Sequence, residues 1–274
     1  MIQAEMILRT LLRKSGLARP IVRMLGRDAE RRRANLREEY QLTRPAEATV
    51  SVLGKSARMS VRSAEEYAHY LAEPESRIMG IVFQNVGPGD TVWDIGANVG
   101  LYTLLIGAAV GPTGVVLGFE PMPSCFERLS ENVALNAATH VRPVHLALGR
   151  RSERLFVMQC SSGLEGDIRV VTEAPPGTPS VEVVPGDQWR AQQGLPVPKL
   201  IKIDVQAAEE DVLIGLEQTI RDPACKVIIC EIHYAIFATR NDANAPLRIE
   251  QHLKSCGFSR IERLDRNHIG AWKV

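Results

Sequence analysis

The residues best suited to chemistry form one short segment, Asp94-Ile95-Gly96-Ala97-Asn98-Val99-Gly100. Apolar residues before the segment predict a strand, and the apolar pattern after it predicts a helix. Glycines between a strand and a helix permit positive φ angles and allow the backbone to approach a ligand closely. The N-terminus of the helix adds unpaired N–H groups and positive potential. The segment therefore predicts a ligand site at the end of a strand.

Two acidic residues indicate what this ligand is. A dinucleotide-binding loop has the form GxGxxG, and here Asp94 occupies the first glycine position. Its carboxylate would repel a pyrophosphate but can accept hydrogen bonds from a cationic amino group. Glu120 follows the next predicted strand, where doubly wound sheets place an acid that binds ribose hydroxyls. Together the two acids indicate a nucleoside with a positively charged tail, S-adenosylmethionine.

A second set of reactive side chains follows two later predicted strands. Lys202 and Asp204 alternate with isoleucines and so share one side of a strand. Glu231 and His233 share a face in the same way, and an acid beside a histidine can orient its ring. We expect His233 to be the general base for a hydroxyl nucleophile, and the alternative is a structural histidine. Lys202 is expected to bind substrate or to pair with Glu231.

The sequence contains no characteristic spacing of metal-ligating residues. The six histidines show no pattern such as HExxH, and we therefore predict no metal site. Asp204, Glu231 and His233 could ligate a divalent ion, but their spacing is not diagnostic. For Asp204 the alternative role is to cap the following helix.

Short strands alternate with helices from residue 91 onward, which is typical of βαβ units. The predicted strands are Thr91–Ile95, Val115–Phe119, Val141–Ala147, Leu200–Val205, Val227–Ile232, Phe258–Arg263 and Ile269–Val274. The predicted helices are Val99–Val110, Ser124–Asn136, Ala208–Gln218 and Leu247–Ser255. The order indicates an α/β, Rossmann-like fold with a mostly parallel sheet and helices on both faces.

The N-terminal region differs in charge from the rest of the chain. Residues 1–44 contain eleven Lys and Arg against five Asp and Glu, and apolar residues recur at helical spacing over residues 7–12. This pattern predicts either a basic helix on a membrane surface or an arm packed on the main domain or on a second subunit of a homodimer. Residues 45–62 predict a short hairpin. We assign 1–62 to a helical extension and 63–274 to the main domain.

Composition excludes several classes of protein. The 274 residues are 45% hydrophobic and 24% charged, with a net charge of +1, which is an ordinary globular composition. No basic excess points to a nucleic-acid partner, and the apolar runs are too short to span a bilayer. Five cysteines without a CxxC pair, and no signal-peptide pattern, favour a reduced, cytoplasmic protein.

Four segments of the chain resemble the FkbM-type methyltransferases: WDIGANVGLYTLL, GFEPMPSCFERLSENVALN, LIKIDVQAAEEDVLIGL and VIICEIH. The resemblance covers roughly residues 65–270. It implies a class I methyltransferase with a seven-stranded sheet whose last strand is antiparallel, using S-adenosylmethionine as cofactor. It also implies an O-methyltransferase acting on a hydroxyl of a sugar, a glycoconjugate or a secondary metabolite.

The resemblance also implies roles for individual residues. The cofactor-binding residues would be Asp94, Gly96, Ala97, Asn98, Gly100, Glu120 and Asp204. The catalytic residues would be His233, Asp204, Glu231 and Lys202, with Glu209 matching the acid of the helix after the fourth strand.

One departure from the family pattern bears on activity. Where the family usually reads KIDVEG, this chain has Gln206 in place of the acid and Ala207 in place of the glycine. If the acid holds substrate or a metal, the chain is a non-catalytic, cofactor-binding partner protein. If the acid only orders the loop, Gln206 keeps its shape, and Ala207 costs little unless a positive φ is needed. A nicotinamide-dependent oxidoreductase is a third alternative, which Asp94 disfavours.

Overall fold

A computed structural model describes residues 18–72, 76–159, 168–171 and 173–274. The chain divides into two compact units. One comprises the residues up to Ala48 together with Val61–Pro74, and the other comprises Thr49–Ser60 and Glu75–Val274. The apolar pattern at residues 7–12 lies outside the described residues, so the membrane and dimer alternatives for it stay predictions. The assignment of 1–62 and 63–274 to separate domains also stays a prediction.

The elements are as follows. The strands are β1 (Glu47–Val52), β2 (Lys55–Ser60), β3 (Thr91–Ile95), β4 (Val115–Phe119), β5 (Val141–Val144), β6 (Ala147–Leu148), β7 (Glu153–Gln159), β8 (Ile168–Val171), β9 (Ser180–Val184), β10 (Leu200–Ile203), β11 (Val227–Glu231), β12 (Arg260–Arg263) and β13 (His268–Trp272). The helices are α1 (Ala18–Thr43), α2 (Ala64–Ala72), α3 (Ser76–Asn85), α4 (Leu101–Val110), α5 (Pro123–Leu135), α6 (Gly186–Gln192), α7 (Glu209–Gly215), α8 (Glu217–Arg221), α9 (Tyr234–Thr239) and α10 (Ala245–Ser255).

The first unit contains the helices α1 and α2, which pack on each other. The hydroxyl of Tyr67 on α2 donates a 2.7 Å hydrogen bond to Oε1 of Glu39 on α1, and its ring lies 5.8 Å from that of Tyr40. No helix among the described residues is both long enough and apolar enough to cross a membrane.

The second unit is built on a seven-stranded sheet with the order β12-β13-β11-β10-β3-β4-β5. The pairs from β11 across to β5 are parallel, and β13 runs antiparallel to both of its neighbours. The predicted α/β sheet with an antiparallel last strand is thus confirmed. The central strands are buried on both faces and consist mainly of apolar residues; the charged exceptions are Asp94 in β3, Lys202 in β10 and Glu231 at the end of β11.

A smaller four-stranded sheet, β6-β9-β7-β8, is inserted between β5 and β10. The prediction of a single strand over Val141–Ala147 was wrong, because β5 ends at Val144 and the chain then turns. The N–H of Leu146 bonds the carbonyl of Val144, and Ala147–Leu148 joins β9 of the second sheet instead. The turn carries the chain away from β4, so that the second sheet lies beside the carboxyl ends of the main strands.

The predicted hairpin is formed by β1 and β2. Its turn residues Leu53 and Gly54 both have positive φ, +47° and +82°, as in a tight two-residue turn. The edge of β2 is then covered by α5, because Asn132 and Asn136 accept hydrogen bonds of 2.8 Å from backbone N–H groups of β2.

The turn after β3 depends on two glycines, for a reason that the sequence did not reveal. Gly96 has φ +85°, and a Cβ at this position would overlap the backbone carbonyl of Asp204 at the end of β10. A Cβ on Gly100 would overlap Cδ1 of Leu129. The sequence suggested that these glycines make room for a ligand, whereas atoms of the protein itself fill the space that the missing side chains leave.

The crowding at Gly96 can be separated from its backbone conformation. Gly54 has nearly the same φ, +82°, but a Cβ added there would meet nothing within 4 Å. We expect Gly54→Ala to lower the free energy of unfolding by about 1–2 kcal/mol. Gly96→Ala should lower it by about 1–3 kcal/mol more, because a fixed carbonyl must move. Urea unfolding followed by circular dichroism measures both, and equal losses would contradict this account of the turn.

Candidate active site

The predicted site residues meet at one edge of the main sheet. The strands β11, β10, β3 and β4 are adjacent and parallel, so their carboxyl ends lie side by side. Lys202 is in register with Asp94 across the β10–β3 pair. Open α/β sheets bind their ligands at such an edge. Residues that are far apart in the sequence are therefore brought together by strand register.

A cavity of about 640 Å³ opens at this edge. Of the expected cofactor-binding residues, Gly96, Asn98, Glu120 and Asp204 line it. The other three, Asp94, Ala97 and Gly100, are buried and do not belong to the lining that the described residues form. The outer wall comes from the second sheet and from α7.

Glu120 ties together the loops that follow β3 and β4. Its Oε2 accepts a 2.8 Å hydrogen bond from the N–H of Asn98, and its Oε1 accepts one of 2.8 Å from the N–H of Met122. Burial raises the pKa of this carboxyl to about 7, although the two N–H groups act in the opposite direction. A carboxylate has about four acceptor positions, so the two oxygens can still accept hydrogen bonds from a ligand in the cavity.

Lys202 is held between two carboxylates. Its Nζ lies 3.2 Å from Oδ1 of Asp94 and 3.6 Å from Oδ2 of Asp204. Asp94 is 0% exposed, and its Oδ2 accepts a 2.6 Å hydrogen bond from Thr103. Binding of the cofactor's amino group by Asp94 stays a prediction; within the protein Asp94 contacts Lys202 and Thr103. The ion pair is what permits a charged Asp94 at the centre of the sheet.

His233 is oriented by Glu209, and not by Glu231 as the sequence suggested. Its Nδ1 lies 2.6 Å from Oε1 of Glu209, and since a carboxylate only accepts, Nδ1 must donate. Its Nε2 lies 3.6 Å from Oδ1 of Asp204. Burial lowers the pKa of His233, but the hydrogen bond and charge of Glu209, together with the charges of Asp204 and Glu231, outweigh burial and raise it.

Glu231 has a different histidine beside it. It is in register with His268 of the antiparallel strand β13, and Nε2 of His268 lies 3.5 Å from its Oε2. Nδ1 of His268 in turn lies 3.0 Å from Oδ2 of Asp265. The sequence analysis missed His268 and Asp265, because the antiparallel register that places them was not predicted.

The same edge offers a donor set for a metal ion. Asp204, Glu231 and His233 each place one possible ligand atom within 4.8 Å of the others. Two carboxylates and an imidazole suit a divalent cation such as Mn²⁺ or Fe²⁺. These three are the residues that the sequence analysis named as capable of ligation without a diagnostic spacing.

The loop that departs from the family pattern has an unusual backbone. Gln206 and Ala207 have φ of +55° and +67°, so the positive φ that would favour glycine at position 207 is required. A left-handed conformation costs a residue with a side chain about 1–2 kcal/mol. The loop is held from both sides, because the N–H of Ala207 donates to Oε1 of Glu209 (3.0 Å) and its carbonyl accepts from Arg240 (2.9 Å). Gln206 and Ala207 both line the cavity.

Comparison with known proteins gives a family and several relatives. Residues 94–260 match the family model of the methyltransferase FkbM domain. The chain is 27% identical over 186 residues to the hexuronic acid methyltransferase AglP of Haloferax volcanii, covering 68% of this chain and 74% of that protein. It is 26% identical over 174 residues to the 31-O-demethyl-FK506 methyltransferase FkbM of Streptomyces tacrolimicus, covering 53% of this chain and 66% of that protein.

Among solved structures, the methyltransferase FkbM from Methylobacillus flagellatus KT is similar with a TM-score of 0.46 and 15% identity. The match covers 67% of this chain and 43% of that one, so the chain spans less than half of that protein's length.

The pairing of Lys202 with Asp94 leads to a stability prediction. The side chains of this pair are 6% and 0% exposed, whereas those of Lys199 and Asp90 are 41% and 22% exposed. We expect Lys202→Met to lower the free energy of unfolding by about 3–5 kcal/mol, because it leaves a buried carboxylate without its cation. Lys199→Met is the matched control and should cost at most about 1 kcal/mol. Similar small losses in urea unfolding would show that Asp94 does not need Lys202.

Proposed function

The chain belongs to the FkbM methyltransferase family, and from this premise we propose that it transfers the methyl group of S-adenosylmethionine to a hydroxyl of a sugar, a glycoconjugate or a secondary metabolite. One observation carries the proposal. Asp204 lines the cavity, and its Oδ1 lies 3.6 Å from Nε2 of His233. The cavity and the proposed proton acceptor therefore adjoin at one residue.

The residues of the cavity fit the cofactor. A volume of about 640 Å³ lies in the range of small-molecule sites. The carboxylate of Glu120 can accept hydrogen bonds from both ribose hydroxyls, and Leu146, Leu148 and Val205 offer apolar surface to the adenine. Six acidic and four arginine side chains line the cavity, and this acidic excess favours a cationic ligand. When bound, S-adenosylmethionine supplies an electrophilic methyl group.

The role of the protein in the transfer is positioning and proton removal. Orientation of the two reactants can contribute up to about 7–11 kcal/mol. Nε2 of His233 accepts the proton of the acceptor hydroxyl as the oxygen is methylated, and the neighbouring Asp204 stabilises the imidazolium that forms. Lys202 holds the carboxylate of Asp204 in place.

The alternative of a non-catalytic, cofactor-binding partner protein rests on Gln206 and Ala207. The backbone at both positions keeps the positive φ that a glycine-containing loop would have, and Glu209 and Arg240 hold the loop in that shape. Since the substituted loop keeps this backbone shape, we propose the catalytic role over the non-catalytic one.

The acceptor class follows from the relatives named as methyltransferases of a hexuronic acid and of 31-O-demethyl-FK506. Both names indicate a small molecule or a glycan as acceptor, and we propose the same for this chain. A cytoplasmic location belongs to the proposal as well, since Cys125, Cys225, Cys230 and Cys256 are free thiols.

Glu120 makes cofactor binding dependent on pH. Its pKa in the protein is raised to about 7, and hydroxyl donors favour the ionised form. We expect the affinity for S-adenosylhomocysteine, measured by titration calorimetry, to rise with pH and to level off above about pH 7. Below that value the loss approaches about tenfold per pH unit. Glu120→Gln should bind more weakly and lose most of this pH dependence. Equal pH dependence in both proteins would contradict the role of Glu120.

His233 makes turnover dependent on pH in the same direction. Its pKa is raised above the ordinary value, and only the neutral imidazole accepts a proton, so the rate should rise with pH through that pKa. With labelled S-adenosylmethionine and hexuronic acid glycosides as acceptors, His233→Gln should lower the rate by about 10²–10⁴-fold. Binding of S-adenosylhomocysteine should stay unchanged.

The control for this assay is His140→Gln. His140 precedes β5 at the opposite edge of the sheet, where it contacts the carbonyl of Gly107, and its loss should leave the rate near that of wild type. If His233→Gln turned over at the wild-type rate, His233 would not be the general base.

A further inference from the structure

We propose that Glu209 is a positioning residue, whose buried carboxylate fixes the His233 ring with the proton on Nδ1 and the basic Nε2 facing Asp204. The inference rests on the proposed function for what His233 does, but not for how the ring is held. Glu209 does not line the cavity and would not touch either substrate.

One oxygen of Glu209 accepts two hydrogen bonds. Oε1 of Glu209 accepts the N–H of His233 Nδ1 at 2.6 Å and the backbone N–H of Ala207 at 3.0 Å. Both donors are fixed by their own backbones, one at the start of α9 and the other in the loop after β10. The oxygen therefore has a defined position, and so has the ring that it holds.

The carboxylate of Glu209 lies in the protein interior. Glu209 is 0% exposed, and its Oε2 has no hydrogen-bond partner among the residues that the structure describes. Burying a carboxylate with an unbonded oxygen is costly, so a neutral side chain of this size would be the less costly choice for structure alone. A charged acceptor is better than a neutral one at holding an imidazole N–H and at stabilising the imidazolium after proton transfer.

Three acidic side chains surround the ring of His233. The charged groups that face the ring are Glu209 from α7, Asp204 from the end of β10 and Glu231 from the end of β11. Lys202 lies on the far side of Asp204 and pairs with its Oδ2. Of the three acids only Glu209 bonds the ring directly at a hydrogen-bond distance, so it determines which nitrogen carries the proton.

The arrangement also links the ring to the cavity. Ala207 lines the cavity and His233 does not, yet both donate to the same oxygen of Glu209. A change in the loop on ligand binding would therefore reach the imidazole through one carboxylate.

The direct test is the tautomer of His233 in the wild-type protein. Nitrogen-15 NMR of histidine-labelled protein distinguishes a protonated Nδ1 from a protonated Nε2, and the spectrum of His233→Gln assigns the signal. Above the pKa of the ring we expect the proton on Nδ1. A neutral ring that carries its proton on Nε2 would overturn the proposal.

The second test removes the charge. In Glu209→Gln the lowering effect of burial is no longer opposed by this acid, so the pKa of His233 should fall. Glu209→Asp keeps the charge at a greater distance and should give a smaller fall. Glu217→Gln, which removes an exposed acid paired with Arg221, is the control and should leave the pKa unchanged. An unchanged pKa in folded Glu209→Gln would overturn the proposal.

Binding of S-adenosylhomocysteine separates this inference from the proposed function. We expect Glu209→Gln to bind it nearly as wild type does while its turnover falls, with the loss in kcat and not in KM. A wild-type protein that has the expected tautomer but binds no S-adenosylhomocysteine would count against the proposed function and leave the role of Glu209 standing.

Discussion

The site depends on one lysine ammonium that lies between the carboxylates of two neighbouring strands. Asp94 and Lys202 are in register on β3 and β10, and the ion pair between them lies in the middle of a sheet that is apolar on both sides. The cost of burying Asp94 is offset only if the cation stays in place. Because the same ammonium also contacts Asp204, the buried pair sets the position of the carboxylate at the cavity. Asp204 in turn lies 3.6 Å from Nε2 of His233, so the ion pair, the cavity and the histidine meet at this carboxylate.

The position of each reactive side chain in the site is fixed by at least one neighbouring group. Glu209 accepts a hydrogen bond from Nδ1 of His233. Glu231 lies beside His268, whose ring in turn contacts Asp265. Glu120 is held by two backbone N–H groups. A methyl transfer needs little from the protein except orientation and one proton acceptor. Because these side chains constrain one another, the site is already arranged to orient a ligand before the ligand binds.

The parts of this arrangement that the sequence predicts are those governed by local pattern. The alternation of apolar strands and amphipathic helices predicted the parallel sheet, and strand ends carrying Asp94, Glu120, Asp204 and His233 predicted the edge where they meet. Two kinds of contact could not be predicted from the sequence. The partners of His233 and Glu231 depend on how α7 and β13 sit against β11, which is a tertiary property. The crowding at Gly96 depends on a backbone carbonyl of a distant strand. The break between β5 and β6 was not predicted, because apolar residues lie on both sides of the turn, Val144 before it and Leu146, Ala147 and Leu148 after it.

We propose that the cavity beside Asp204 holds the cofactor, with its reactive end toward His233. A crystal structure of the protein with S-adenosylhomocysteine tests it most directly. In that structure we expect the ribose hydroxyls to lie within about 3 Å of the Glu120 carboxylate. We also expect the sulfur on the Asp204 side of the cavity, with space for one hydroxyl group between it and Nε2 of His233. A ligand bound outside the cavity, or inside it with the sulfur directed away from Asp204, would contradict this proposal.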